Sequence, residues 1–187
     1  MPKPLFRVAA FDDGFFEKNR SSEALLVGVV WRADNRIDGL LSARISVDGN
    51  DATRKISSLL NGSRFAGQAS YIFLQGITFA GFNIVDMEAL SKATGKPVIS
   101  VFRKKPDLKA MLGAVKRFPD SAQKARVLKG APEISALGRL RFQCSGCGKA
   151  EAAQVIKKCL LHSLVPEPVR IAHIIASGAS IGESTQP

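Results

Sequence analysis

Two pairs of aspartates stand where short apolar runs end. Asp12 and Asp13 close the stretch RVAAFDDG, and Asp48 and Asp51 follow ARISV. Two carboxylates about 4 Å apart repel by roughly 4 kcal/mol at an effective dielectric near 20. Such a cluster is tolerated when a proton, a basic side chain or a cation neutralises it. With oxygen ligands the natural cation is Mg²⁺ or Mn²⁺, which keeps several waters and also binds phosphate oxygens. Held beside a phosphodiester, it stabilises charge developing on the phosphate and lowers the pKa of an attacking water. The same residues have simpler roles: Asp51 as a helix N-cap, Asp48-Gly49 and Asp13-Gly14 as turns.

These acids must be delivered by the elements before them. Arg7 to Phe11 reads as a first strand, and ALLVGVVW and GLLSARISV as two more, joined by a turn around Ala33 to Arg36. In such a meander strands one and three run the same way, so both acid pairs are expected at one edge of the sheet. After Asp51, the residues Ile56, Leu59 and Leu60 recur at helical spacing. SYIFLQGITFAGF returns to strand, Asp86 to Ala93 reads as helix, and PVISVF as a short buried strand. PDLKAMLGAVKRF and SAQKARVLK read as helices, RLRFQC as a strand, and KAEAAQVIKKCLL and PEPVRIAHII as the last helices. The expected fold class is α/β, a mixed sheet covered by helices. One domain over 1–187 is expected, with a frayed tail from about 179.

The stretches FDDGFF, VDGNDAT, GITFAGFNIVD, GKPVISVFRKKPD and PEPVRIAHIIASG together resemble the archaeal endonuclease dU family, in order, from about Arg7 to Gly178. That family is similar to endonuclease V, a metal-dependent repair nuclease of the ribonuclease H-like fold. The resemblance implies a five-stranded mixed sheet, three antiparallel strands then two parallel ones. It implies a Mg²⁺- or Mn²⁺-dependent endonuclease acting on DNA with deaminated bases, uracil or hypoxanthine. Carried over residue by residue, Asp12 takes the place of the first metal-binding acid, and Asp51, with Asp48 close behind, the second. Gln75 stands where endonuclease V has its third acid, and His173 where its last helix carries an Asp. A neutral amide offers one carbonyl oxygen and no charge, whereas imidazole can ligate a metal or carry a proton. The implied metal set is Asp12, Asp51 and His173, with Asp13, Asp48, Gln75 and Asp86 as secondary candidates. His173, between Ala172 and Ile174, reads equally as a satisfied core histidine. The rival function is a nucleic-acid-binding protein that kept the fold and lost the chemistry.

Charge points to the partner. Against 16 acidic residues stand 27 Lys and Arg, a formal charge of +11, which favours a polyanion such as DNA. The densest basic region, Pro97 to Gly130, has nine Lys or Arg against two Asp. Arg103, Lys104 and Lys105 follow a buried strand and are candidates to hold phosphates, as is Arg170; Lys109, Lys116 and Lys124 read equally as a solvated helix face. Phe15, Phe16, Tyr71, Phe79 and Phe82 are either core or surfaces on which a base stacks. The spacing of Cys144, Cys147, Cys159 and His162 permits zinc, but Cys159 shares an apolar stripe with Ala152, Val155 and Ile156, so core packing is simpler. Three cysteines fit a reducing cytoplasm better than a disulfide scaffold. ALLVGVVW, the longest apolar run, is far short of the roughly 20 residues of a membrane span. MPKPLF lacks a secretory signal.

Overall fold

The structure is a computed structural model that describes residues 5–18 and 20–186. Residues 1–4, part of the stretch read for a signal sequence, lie outside the described residues.

Alternation of apolar residues builds the sheet and determines what each face meets. Strand β1 (Arg7–Asp13) pairs antiparallel with β2 (Glu23–Arg32), and β2 with β3 (Arg36–Ser46). On its other side β1 pairs parallel with β4 (Ala69–Gln75), and β4 parallel with β7 (Val98–Phe102). This is the expected five-stranded unit, three antiparallel strands followed by two parallel. The sheet does not stop there. β9 (Leu140–Ser145) pairs antiparallel with β7, and β8 (Ser135–Leu137) pairs with β9, giving seven strands in the order β3-β2-β1-β4-β7-β9-β8. The five-strand expectation falls short because RLRFQC caps the free edge of β7, whose unpaired backbone groups would otherwise be left open.

Helices cover both faces. Ala9 and Phe11 point toward α1 (Ala52–Asn61), α2 (Met87–Thr94), α3 (Leu108–Val115) and α4 (Ser121–Gly130), in a core that contains Ile56, Leu60, Leu90, Val115 and Leu128. Val8 and Ala10 point the other way, toward α5 (Lys149–Cys159) and α6 (Glu167–Ile181), in a core with Val155, Ile156, Val169, Ala172 and Ala176. Helix α6 extends past 179, the expected start of the tail, to Ile181. The long strand expected over SYIFLQGITFAGF breaks at Gly76, whose φ of 77° turns the chain away. A small hairpin follows, β5 (Thr78–Phe79) with β6 (Asn83–Ile84).

Lys124 corrects the reading of α4 as a plain solvated face. Its side chain is fully buried, and Nζ donates to the carbonyls of Asp48 (2.9 Å), Gly49 (2.7 Å) and Phe82 (2.9 Å) and to Asn50 Oδ1 (3.1 Å). Asp120, 3.1 Å away, supplies the counter-charge one turn earlier. One ammonium thus joins α4, the loop after β3 and the hairpin. A buried ammonium is tolerated only with such complete partnering, and its loss leaves several carbonyls unpaired. Lys124→Met is therefore expected to lower unfolding free energy by about 3 kcal/mol. Urea denaturation measures the difference, which should persist in high salt because a buried contact is little screened.

Candidate active site at the sheet edge

At the end of β1 the strand's alternation sends its two acids to opposite faces. Asp12 continues the side of Val8 and Ala10, beneath α6, and is only 5 % exposed. Its Oδ2 accepts from Nδ1–H of His173 at 2.7 Å, across 161 residues of sequence. Asp13 turns toward the hairpin, where its Oδ2 accepts the Ala80 N–H at 2.9 Å. Gly14 explains how α6 comes close enough: a Cβ there would lie 2.0 Å from Ser180 Oγ and 2.9 Å from the Ala176 carbonyl. His173 is held at its other nitrogen as well, with Nε2 3.0 Å from Thr185 Oγ1, while the Thr185 N–H reaches Ser177 Oγ at 3.2 Å. The chain after α6 therefore folds back over His173.

Gln75 completes this edge. Phe11 pairs with Leu74, so Asp12 and Gln75 are the next residues on neighbouring parallel strands. Tyr71 and Phe73 share the core of Val8 and Ala10, which puts Gln75 on the same face as Asp12. Gln75 Oε1 is buried without a hydrogen-bond partner. Such an orphan costs roughly 1 to 3 kcal/mol unless something fills the position. Gln75 and Gly76 line a cavity of about 230 Å³ together with Arg103 and Lys104.

Burial pushes the Asp12 carboxyl above its ordinary value, opposed by the hydrogen bond and charge of His173. The hydrogen bond to Asp12 in turn raises His173, opposed by burial and by the nearby Arg103 charge. Asp13 is pushed up to about 7, by burial first and by the Asp12 charge second. All three groups are thus raised above their ordinary values, as is common at sites that move protons.

The other expected residues are engaged elsewhere. Asp51 is not brought into a group with Asp12 and His173. Its Oδ1 accepts from the Ser46 N–H (3.1 Å) and Asn83 Nδ2 (2.6 Å), and its Oδ2 from Ser46 Oγ (3.2 Å). Burial acts to raise its carboxyl, but these bonds outweigh it and hold Asp51 below the ordinary value. Nor does its side chain cap α1; the fully buried Asn83 does so, accepting the Ala52 N–H at 2.9 Å. Asp48 accepts the Phe82 N–H at 2.7 Å and locks the hairpin. Asp86 caps α2 through the Ala89 N–H at 2.9 Å, so it does not turn toward the edge. Arg170 is tied to Glu167 by two bonds of 2.8 and 2.6 Å, which neutralises it locally, whereas Arg103, Lys104 and Lys105 are exposed.

Tyr71 and Phe79 are core, Phe16 and Phe82 pack against it, and Phe15 is 57 % exposed. Cys159, at the end of α5, is buried in the core, and Cys144 packs against the same core with its thiol 3.6 Å from the Cys147 carbonyl; among the described residues the zinc arrangement is not assembled. Among the described residues, no three His, Cys, Asp or Glu side chains are grouped to hold a metal ion. The donors at the edge fit a less demanding site. Mg²⁺ is commonly bound by one or two carboxylates, with waters and substrate phosphates completing the shell. Asp12 offers one carboxylate and the orphaned Gln75 Oε1 one neutral carbonyl oxygen, while both His173 nitrogens are engaged, one of them with Asp12.

The three-layer α/β/α molecule has solved counterparts. Endonuclease V of Ciona intestinalis, crystallised with DNA containing an inosine followed by a ribo-adenosine, superposes with a TM-score of 0.59 over 90% of this chain and 83% of its own, at 13% identity. The two share the fold. A protein of unknown function from Archaeoglobus fulgidus is nearer, with a TM-score of 0.89 and 34% identity over 95% of this chain and 99% of its own. A UPF0215 protein of Thermococcus gammatolerans is 44% identical over 98% of this chain and 97% of its own. The profile of the endonuclease dU family matches residues 4–180, and the chain belongs to that family.

The titration of Asp13 has a direct consequence for stability. Its carboxyl ionises near 3.8 when unperturbed and near 7 in the folded protein, so folding favours the protonated form. The favourable contribution is complete below the lower value and is lost as pH rises through the upper one. Asp13→Asn keeps an acceptor for Ala80 and removes the charge. In EDTA it should match wild type near pH 4 and exceed it by roughly 3 kcal/mol at pH 8. Urea midpoints across that range check the sign; a difference independent of pH would contradict it.

Proposed function

We propose that this protein is a divalent-metal-dependent endonuclease that acts on DNA containing deaminated bases, uracil or hypoxanthine, in DNA repair. The observation that carries the reading is the buried Asp12–His173 pair beside the unpartnered Gln75 oxygen, on a sheet edge flanked by exposed Arg103, Lys104 and Lys105. The family and the endonuclease V fold support it.

Asp12 and Gln75 would hold Mg²⁺ or Mn²⁺. When bound, such a cation supplies positive charge to the scissile phosphate and acidifies water. Arg103, Lys104 and Lys105 neutralise the DNA backbone and set its register. Asp12 fixes the ring of His173 through Nδ1 and raises its affinity for a proton, leaving Nε2 as the atom that holds a proton for the departing oxygen. Thr185 occupies the position beside Nε2 and must yield it to substrate. Arg103 opposes the protonation of His173, though the net direction is upward, set first by the hydrogen bond to Asp12.

The test is nicking of duplexes carrying a single uracil or hypoxanthine, with Mg²⁺ or Mn²⁺. Wild type should nick them, and Asp12→Asn should lose at least about 100-fold in rate while binding the same duplex. Absence of metal-dependent nicking by wild type, together with intact salt-dependent binding, would instead support a binding protein.

A further inference from the structure

A large cavity lies on the other face of the sheet from Asp12. It has a volume of about 680 Å³ and is walled mainly by apolar side chains, among them Ile77, Leu108, Met111 and Leu128. That volume falls within the range of small-molecule sites. One polar side chain from the sheet, Gln143 of β9, lines it. Gln143 is 5 % exposed, its Nε2 donates to the Pro132 carbonyl, and its Oε1 has no partner.

That arrangement fixes the chemistry offered. A carbonyl only accepts, so Nε2 must face Pro132, and the amide cannot rotate without setting two oxygens against each other. What remains unpaired is an acceptor, Oε1, itself buried at the sheet wall of the cavity. Ser100, paired directly with Gln143 across β7 and β9, also carries a buried hydroxyl without a partner. Two neighbouring orphans on one sheet face mark a place where the chain alone leaves polar groups unsatisfied.

The cavity is connected to the basic edge. Lys105, the last of the exposed basic run, lines it. Ile77 and Pro106 line both this cavity and a shallower one that reaches Gly76 and Phe102, and those two residues also line the cavity beside Gln75. A nucleotide whose phosphate rests at Lys105 can place its base among the apolar walls.

We infer that this cavity is a nucleobase site in which Gln143 Oε1 accepts the ring N–H that deamination creates. Cytosine has an unprotonated ring nitrogen at N3 and uracil an N–H; adenine and hypoxanthine differ in the same way at N1. Uracil and hypoxanthine therefore donate to Gln143, whereas cytosine and adenine oppose a lone pair to it. A site built around a buried hydrogen-bonding group rejects the ligand that cannot complete the bond. The inference rests on the proposed action on deaminated DNA for its biological meaning, but not for its measurement.

Binding is measured in EDTA with fluorescent single-stranded oligonucleotides that carry one uracil or one cytosine at the same position. Wild type should prefer uracil on the order of tenfold. Gln143→Leu should abolish the preference, by weakening uracil binding and relieving the clash with cytosine, and Leu108→Trp, at an exposed wall position, should abolish it by filling the mouth. A preference retained by both folded variants, or absent from wild type, overturns the inference. Nicking with Mn²⁺, run in parallel, separates the two readings. Nicking with a preference indifferent to Gln143 removes the base site alone; a Gln143-dependent preference without nicking removes the endonuclease alone.

Discussion

A carboxylate buried at the edge of a sheet needs a partner, and for Asp12 the partner comes from the other end of the chain. Strand β1 is apolar on both faces through Phe11, so whatever follows it begins inside the protein. An isolated charge there would be prohibitive, and burial does push Asp12 toward its neutral form. His173 resolves the conflict by offering a shared proton, provided that α6 lies against the end of β1. Gly14 makes that approach possible, because any Cβ would strike the Ala176 carbonyl and Ser180. The candidate site and the seating of α6 are thus one constraint.

The acids on the opposite face have a different task. Asp48, Asp51 and Asn83, with Lys124 above them, form a network of mostly fixed donors and acceptors that welds the loop after β3 to the hairpin and to α4. Hydrogen bonds hold the Asp51 carboxyl below its ordinary value, while burial pushes Asp13 up to about 7. The two differ although both bond to the hairpin segment, Asp13 at Ala80 and Asp51 at Asn83. The edge itself carries less negative charge than a four-acid cluster, and it can remain metal-free without strong repulsion.

The sequence made the strand and helix order legible, because alternation and helical spacing depend on local neighbours. RVAAFDD, PVISVF and PEPVRIAHII formed the elements their patterns imply. The same patterns could not show that RLRFQC would extend the sheet beyond β7, since a strand carries no local record of the edge it joins. Asp12 was legible as a candidate from its place at a strand end, His173 only through a family resemblance; their contact spans 161 residues. Asp51 was ambiguous for a physical reason: its position before a helix and after a strand suits a ligand, a cap or a clamp alike, and here it accepts from Ser46 and Asn83. Lys124 was hidden in a basic run, because burial of one lysine among nine cations depends on what the facing loops present. Thr185 offered no signal beyond an ordinary polar tail.

The central claim is that Asp12, oriented by His173, and the neighbouring Gln75 make the place where a divalent cation meets the DNA backbone. The most direct measurement is the anomalous diffraction of crystals soaked in Mn²⁺. A single ion between the Asp12 carboxylate and Gln75 Oε1, lost in Asp12→Asn crystals, is the result this account predicts. An ion seated instead at Asp51 and Asp48, or an empty edge at saturating Mn²⁺, would contradict it.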